Sequence, residues 1–262
     1  MKGHHKVTLG VGQVFGIKLA PSASVVQIAA AAGFDALFID LEHSALSLND
    51  ASLLCTTGLL AGITPFVRVP YQCGDGFVQR VLDGGAMGVI FPHVSTRDEA
   101  ESAVAISKYP PAGKRSMTGQ LPQFAYAAQP HAVVIPQSNN VGSTVIVMIE
   151  TKEALQNLDA IASVPGVDVL LVGSNDLTIE LGISSQFDSP VYKEAMEKIS
   201  QACKKHGKIM GLGGVYDNPT IQGWAVHDLG VGFVLGGQDS SFIAKAAKAC
   251  AEALVKVEKS QN

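Results

Sequence analysis

Charge is scarce in this chain: Asp, Glu, Lys and Arg make up only 16% of its 262 residues, against 47% hydrophobic. With 19 basic and 23 acidic side chains the net charge is −4, so the basic excess that neutralises a phosphate backbone is missing and nucleic acid is excluded as the expected partner. The few cations are scattered or, like Lys204–Lys205, cluster on a helical face. Cysteine is limited too. Cys55, Cys73, Cys203 and Cys250 lie far apart and form no C-x-x-C, which argues against a zinc knuckle or a disulfide framework and for a reducing compartment. No apolar run approaches the length of a membrane span. The opening Met1-Lys-Gly-His-His lacks the apolar stretch of an export signal, and Ser260-Gln261-Asn262 is not a peroxisomal address. A cytoplasmic protein that acts on a small molecule is the expectation.

What is present is an alternation. Short β-branched or apolar runs recur near 13–19, 36–41, 64–69, 88–92, 144–149, 168–173, 208–213 and 231–236. Between most of them lie Ala-rich stretches with helical spacing, among them Ser24–Ala32, Asp50–Leu60, Asp75–Leu82, Thr96–Ser107, Lys152–Ala162 and Pro190–His206, several entered through Ser, Asp or Thr caps. Eight strands alternating with helices at this length predict an α/β fold, a single-domain (β/α)₈ TIM barrel over residues 1–262. The connection at 108–143 breaks the rhythm. It carries Pro110, Pro111, Pro122, Pro130 and Pro136 and reads as a lid or an assembly arm. The segment 241–259 reads as an amphipathic helix whose apolar face, Ala246, Ala249, Cys250, Ala253 and Leu254, covers either its own barrel or a neighbour's.

The chemistry sits at the strand ends. The run Ala36–Ile39 closes in D-L-E-H, so an apolar strand ends in two carboxylates, Asp40 and Glu42, and an imidazole, His43. Thr64–Arg68, Val145–Glu150 and Val169–Asp176 also end in charge, and barrel enzymes build their sites at the carboxyl ends of strands. Taken singly, each such residue reads as a solvated terminus or a helix cap; together they converge. Glu150 and Asp176 follow adjacent strands, so their carboxylates meet over one point. Without a Cys or a His–His pair they favour a hard divalent ion that keeps several waters, Mg²⁺ or Mn²⁺, the alternative being that each caps the helix after it. Arg68 suits a substrate carboxylate or a developing oxyanion, or else an ion pair with Asp40 or Glu42. His43 is the residue of the tetrad that exchanges protons near neutrality. Asp83, in R-V-L-D-G-G-A, reads as a helix C-terminal acid. Gly211-Leu-Gly213-Gly214 and Gly236-Gly237 keep open a phosphate-binding isomerase or binding protein.

I-D-L-E-H at 39–43, V-R-V-P at 67–70, R-V-L-D-x-G-A at 80–86, Y-P-P-x-G-x-R-S at 109–116, I-E-T at 149–151 and V-G-S-N-D-L at 172–177 resemble the HpcH/HpaI aldolase and citrate lyase family, over about Gly10 to Ser240. The resemblance implies a metal-dependent, class II pyruvate aldolase on a TIM barrel, assembled as a homo-oligomer, a hexamer built as a trimer of dimers. Glu150 and Asp176 match its metal ligands, Mg²⁺ being favoured, and Ser174 and Asn175 match the stretch whose backbone N–H groups hold the substrate carboxylate. Arg68 matches the arginine that stabilises the enolate oxygen, and His43 with Asp83 matches the proton-transfer dyad. The expected reaction is retro-aldol cleavage of a 4-hydroxy-2-oxo acid to pyruvate and an aldehyde. Oxaloacetate decarboxylation, the first step of macrophomate-synthase-like relatives, is the alternative, and a CoA-ester lyase is disfavoured for want of a basic surface. No Schiff-base lysine is required. The chain departs from the family pattern at Met148, where many relatives carry Gln, and at Ile17, where bacterial aldolases often place a Trp against the aldehyde. His93, near the mouth after the fourth strand, reads as a rim residue that could instead recognise the distal end of the substrate.

Overall fold

The computed structural model describes residues 11–259, so the readings made on residues 1–5 and 260–262 lie outside it. Eight parallel strands, β1 (Gly12–Ile17), β2 (Ala36–Asp40), β3 (Thr64–Arg68), β4 (Gly88–Phe91), β5 (Thr144–Ile149), β6 (Val169–Gly173), β7 (Ile209–Gly213) and β8 (Val231–Gln238), pair in order and close as β8 returns to β1. Around them run α1 (Ala23–Ala31), α2 (Leu48–Ala61), α3 (Asp75–Asp83), α4 (Arg97–Ser107), α5 (His131–Asn140), α6 (Lys152–Gln156), α7 (Leu158–Ala162), α8 (Ser174–Glu180), α9 (Pro190–His206), α10 (Pro219–Trp224) and α11 (Asp239–Lys259). The predicted (β/α)₈ barrel is the observed fold. Local chemistry sets the helix starts: Ser47 with Asp50, and Thr96 with Glu99, form capping boxes at α2 and α4. No helix among the described residues is long and apolar enough to cross a membrane.

Because successive strand residues face opposite sides, the apolar residues fall into two sets. Leu37, Ile39, Val67, Val89, Val147, Ile149 and Val172 face outward and join the helices in one large core. Val14, Ala36, Phe38, Ile90, Ile146, Met148, Leu171, Phe233 and Leu235 fill the barrel interior. The same alternation, carried one step further, turns Asp40, Arg68 and Glu150 inward at the end where the strands finish.

The 108–143 connection, read as a lid or an assembly arm, is built against the barrel. It contains a 3₁₀ turn at Pro122–Phe124 and the whole of α5, and it is tied down. Lys108 Nζ donates to the carbonyls of Asn139 (2.7 Å) and Ser143 (2.6 Å), and the Asn139 side chain bonds both backbone groups of Tyr109. Gln123 Nε2 donates to the carbonyls of Leu82 (2.7 Å) and Ala86 (2.9 Å), which lie where the chain enters β4. These anchors belong to the end of the barrel where strands begin, so the segment is no lid over this chain's own mouth.

Strand β1 and helix α11 are joined by one carboxylate. Asp239, 1% exposed, accepts the backbone N–H groups of Lys18 (3.1 Å), Leu19 (3.0 Å) and Ala20 (2.8 Å). Phe242 then packs on Phe15 and Phe34, with ring centroids 5.2 and 6.5 Å away. From Lys245 to Lys259 the helix is exposed, so it does not cover its own barrel. Asp239→Ala leaves the loop after β1 with buried donors unanswered, and urea unfolding should show a loss of roughly 2–4 kcal/mol. An unchanged midpoint would show that the clamp does not hold the loop.

Candidate active site

Residues Asp40 and Arg68 are register partners on β2 and β3, and both side chains are buried. The guanidinium grips the carboxylate twice, Nε to Oδ1 at 3.0 Å and Nη2 to Oδ2 at 2.7 Å. Its Nη1 lies 3.1 Å from Glu42 Oε2. The Glu42 contact is an ion pair without a hydrogen bond, so of the five N–H donors of an arginine three are left for a ligand. Burial alone would raise the Asp40 carboxyl, but the Arg68 hydrogen bond and charge, with the N–H groups of Glu42 and His43, outweigh it and hold the group below its ordinary range. The same N–H bonds, at 3.0 and 3.1 Å, and the Ser44 hydroxyl on the Asp40 carbonyl, fold the chain back after β2. They place Glu42 against Arg68 and leave His43 exposed at the rim, its Nε2 3.9 Å from Glu42 Oε2.

On the other side stands Glu150, 1% exposed. One oxygen, Oε1, accepts the His93 backbone N–H at 2.6 Å and lies 3.2 Å from the His93 ring Nδ1. The other, Oε2, is buried with no hydrogen-bond donor among the described residues. Burial pushes the Glu150 carboxyl up, the Asp176 charge adds to this, and the His93 N–H, the His93 ring and Arg68 oppose it. A buried carboxylate with one oxygen unanswered, beside the charge of a second carboxylate, is a donor set that suits a hard cation. No cluster of three or more His, Cys, Asp or Glu ligands exists among the described residues, so a cation here would rest on the two carboxylates and complete its shell with water or substrate. The site also requires Gly173: a Cβ there would overlap Glu150 Oε2 and lie 3.0 Å from the Glu150 Cβ.

Several predicted positions fall elsewhere. Asp83 does not meet His43 within one chain; it closes α3 at the end where strands begin and pairs with Arg115 at 2.6 Å, whereas His43 follows β2 at the opposite end. Ile17 is fully buried in the outer core, so it cannot face a substrate. Lys18, next in the alternation of Val14 and Gly16, lies half-buried in the bend just past β1. Met148 fills the barrel interior two residues before Glu150 and offers no hydrogen bond there. His93 is more than a rim residue, since its left-handed backbone (φ 54°) aims its N–H at Glu150. Ser174 and Asn175 open α8, whose first turn has no side-chain cap, while the Ser174 hydroxyl is taken by Tyr192 at 2.8 Å. Gly211 and Gly213 lie within β7, and Gly236 and Gly237 within β8, rather than in a phosphate-binding loop. Sequence reasoning passed over Tyr216, just beyond β7, which packs on the interior cluster and stands within electrostatic reach of Arg68 and Asp40. An aromatic three residues past a strand end was the available signal.

Known proteins share the sequence and the fold of this chain. The profile of the HpcH/HpaI aldolase/citrate lyase family matches residues 19–242. A 4-hydroxy-4-methyl-2-oxoglutarate aldolase of Hapsidospora irregularis is 52% identical over 246 residues, 94% of this chain and 91% of that protein. One of Chaetomium globosum is 49% identical over 249 residues, 95% and 93% of the two chains. Among solved structures, an HpcH/HpaI aldolase from Desulfitobacterium hafniense superposes with a TM-score of 0.87 at 27% identity, covering 94% of this chain and 93% of that one.

Calorimetric titration with Mn²⁺ checks the cation site. Glu150→Gln and Asp176→Asn should each abolish binding with the fold intact, because one protein anion is too few for a hard dication. Gly173→Ala should do the same by displacing Glu150. Unchanged affinity in all three would remove the site.

Proposed function

The chain belongs to the HpcH/HpaI aldolase/citrate lyase family, and on that footing we propose that it is a divalent-metal-dependent lyase that cleaves 4-hydroxy-4-methyl-2-oxoglutarate through a pyruvate enolate. The observation that carries this reading is a single mouth holding both a buried carboxylate with an unused oxygen, Glu150 beside Asp176, and a buried guanidinium, Arg68, anchored by Asp40 and Glu42. The first suits a cation and the second an oxyanion, which is what carbon–carbon cleavage next to a 2-keto group needs.

Glu150 and Asp176 would hold the metal, Mg²⁺ by the hardness of an all-oxygen set, and when bound it supplies Lewis-acid polarisation of the 2-keto group. The N–H groups of Ser174 and Asn175 take the C1 carboxylate, as a helix start takes an anion. Arg68 faces the keto oxygen. His43 accepts the 4-hydroxyl proton, the C3–C4 bond breaks, and its electrons pass through C3 to the keto oxygen while C4 becomes a carbonyl. Protonation at C3 then gives pyruvate. With this substrate the second fragment is also pyruvate, so one molecule yields two.

We place Asp83 in the reaction only as a group donated by another copy, since within one chain it lies at the wrong end. Two features support a homo-oligomer, built as a trimer of dimers like the family resemblance implies. The outward residues Gly232 and Gly236 of β8 are exposed where a barrel helix would lie, and α11 carries Ile243, Leu254 and Val255 exposed at 52, 65 and 46%. We propose that α11 of one copy covers β8 of the next. The compartment we propose is the cytoplasm, in keeping with four free cysteines.

Product analysis tests the reaction. Metal-loaded enzyme should release two pyruvates per 4-hydroxy-4-methyl-2-oxoglutarate and stop on chelation; release of pyruvate from oxaloacetate alone would replace the aldolase by a decarboxylase. His43→Ala should lower cleavage by roughly 10²–10⁴-fold, the span of general-base catalysis, and spare oxaloacetate decarboxylation, which removes no hydroxyl proton. Equal losses would assign His43 to the fold or the metal. Light scattering at micromolar concentration should show more than one subunit, and a monomer would contradict the assembly.

A further inference from the structure

The mouth is asymmetric. Its charged side chains stand on β2, β3 and β5, while the inward positions at the same level on β1 and β7 are Gly16 and Gly213. A Cβ added to Gly213 would meet nothing closer than the Val172 carbonyl oxygen at 3.4 Å, whereas one on Gly16 would overlap the Gln238 side chain at 2.7 Å, so the room lies on the β7 side. With the keto-acid half of the substrate engaged by Arg68, by the N–H groups of Ser174 and Asn175 and by the metal that Glu150 and Asp176 would hold, the C4–C5 half has the β7 side to occupy.

One cation borders it. Along β1 the residues alternate, Val14 inside, Phe15 outside, Gly16 inside and Ile17 outside, so Lys18 follows on the inner row. Its backbone is fixed by the buried Asp239 carboxylate, which also holds Leu19 and Ala20. The side chain is half-buried and has no acidic partner among the described residues. Several other cations are paired, Arg68 to Asp40, Arg115 to Asp83, Lys114 to Asp75 and Lys205 to Asp159. A half-buried ammonium without a counter-ion at a substrate mouth is costly unless the ligand brings the anion.

We propose that Lys18 reads the distal C5 carboxylate of the substrate and so makes this enzyme selective for 4-hydroxy-2-oxo diacids over the corresponding monoacids. This rests on the cleavage reaction proposed above. Only the pairing of Lys18 with a second carboxylate is added, and the monoacid separates the two ideas.

The test compares kcat/KM for 4-hydroxy-4-methyl-2-oxoglutarate with that for 4-hydroxy-4-methyl-2-oxopentanoate, in which a methyl group replaces the distal carboxylate. Lys18→Met keeps the length of the side chain and removes its charge. It should lower diacid cleavage by roughly 10–10²-fold, mainly through KM, and leave the monoacid within about twofold of wild type, as loss of one charged hydrogen bond requires. Lys18→Arg should keep the preference for the diacid. Equal losses on both substrates, no loss on the diacid, or a wild-type enzyme indifferent to the distal carboxylate would overturn the assignment of Lys18 while leaving the aldolase standing. Wild-type enzyme that cleaves neither compound would overturn the reaction and the assignment together.

Discussion

The mouth of this barrel depends on one buried ion pair. Asp40 has lost all of its solvent, a position that an unanswered carboxylate occupies only at heavy cost. Arg68 answers it with two parallel bonds, and two backbone N–H groups complete its coordination. Because those N–H groups belong to Glu42 and His43, the carboxylate that aims the guanidinium also dictates how the chain leaves β2. A single anion therefore sets the direction of an arginine, a second carboxylate and an imidazole. The opposite wall works differently: Glu150 is held by one backbone N–H and by the space that Gly173 leaves, and its second oxygen stays unanswered.

Much of this was readable from the sequence because barrel strands are short apolar runs whose ends are written locally. Ala36–Asp40, Thr64–Arg68 and Thr144–Ile149 were placed to within two residues, and the charged residues that close or follow them do converge. What failed did so for definite reasons. A parallel strand is buried on both faces, so Q-V-F-G-I-K shows no polar alternation from which to count its inner row, and Ile17 was set where Lys18 belongs. Helix α5 was hidden by Pro136 inside it and by the lack of a capping side chain at Pro130. The contribution of His93 is a backbone N–H, which no side-chain motif encodes. Asp83 was paired with His43 by resemblance alone, and within one chain the topology puts barrel length between them, which leaves the pairing to two copies.

The two halves of the site are built from different materials. Groups that engage the keto acid are charged, buried and cross-braced, so each constrains the others. Across the mouth, Gly213 on β7 and Lys18 after β1 make no hydrogen bond to that bracing. A scaffold arranged in this way retains one half-reaction while its partner fragment is free to vary.

The Asp239 clamp has a consequence for the order in which the molecule is made. It joins residues 221 positions apart, fastening the loop after the first strand with a carboxylate that follows the last. During synthesis that loop leaves the ribosome 221 residues ahead of the group that fixes it. A nascent chain can pair its early strands and bury their outer faces, but its mouth stays unfinished until β8 arrives. The capacity to engage substrate is therefore acquired in one step with closure of the barrel.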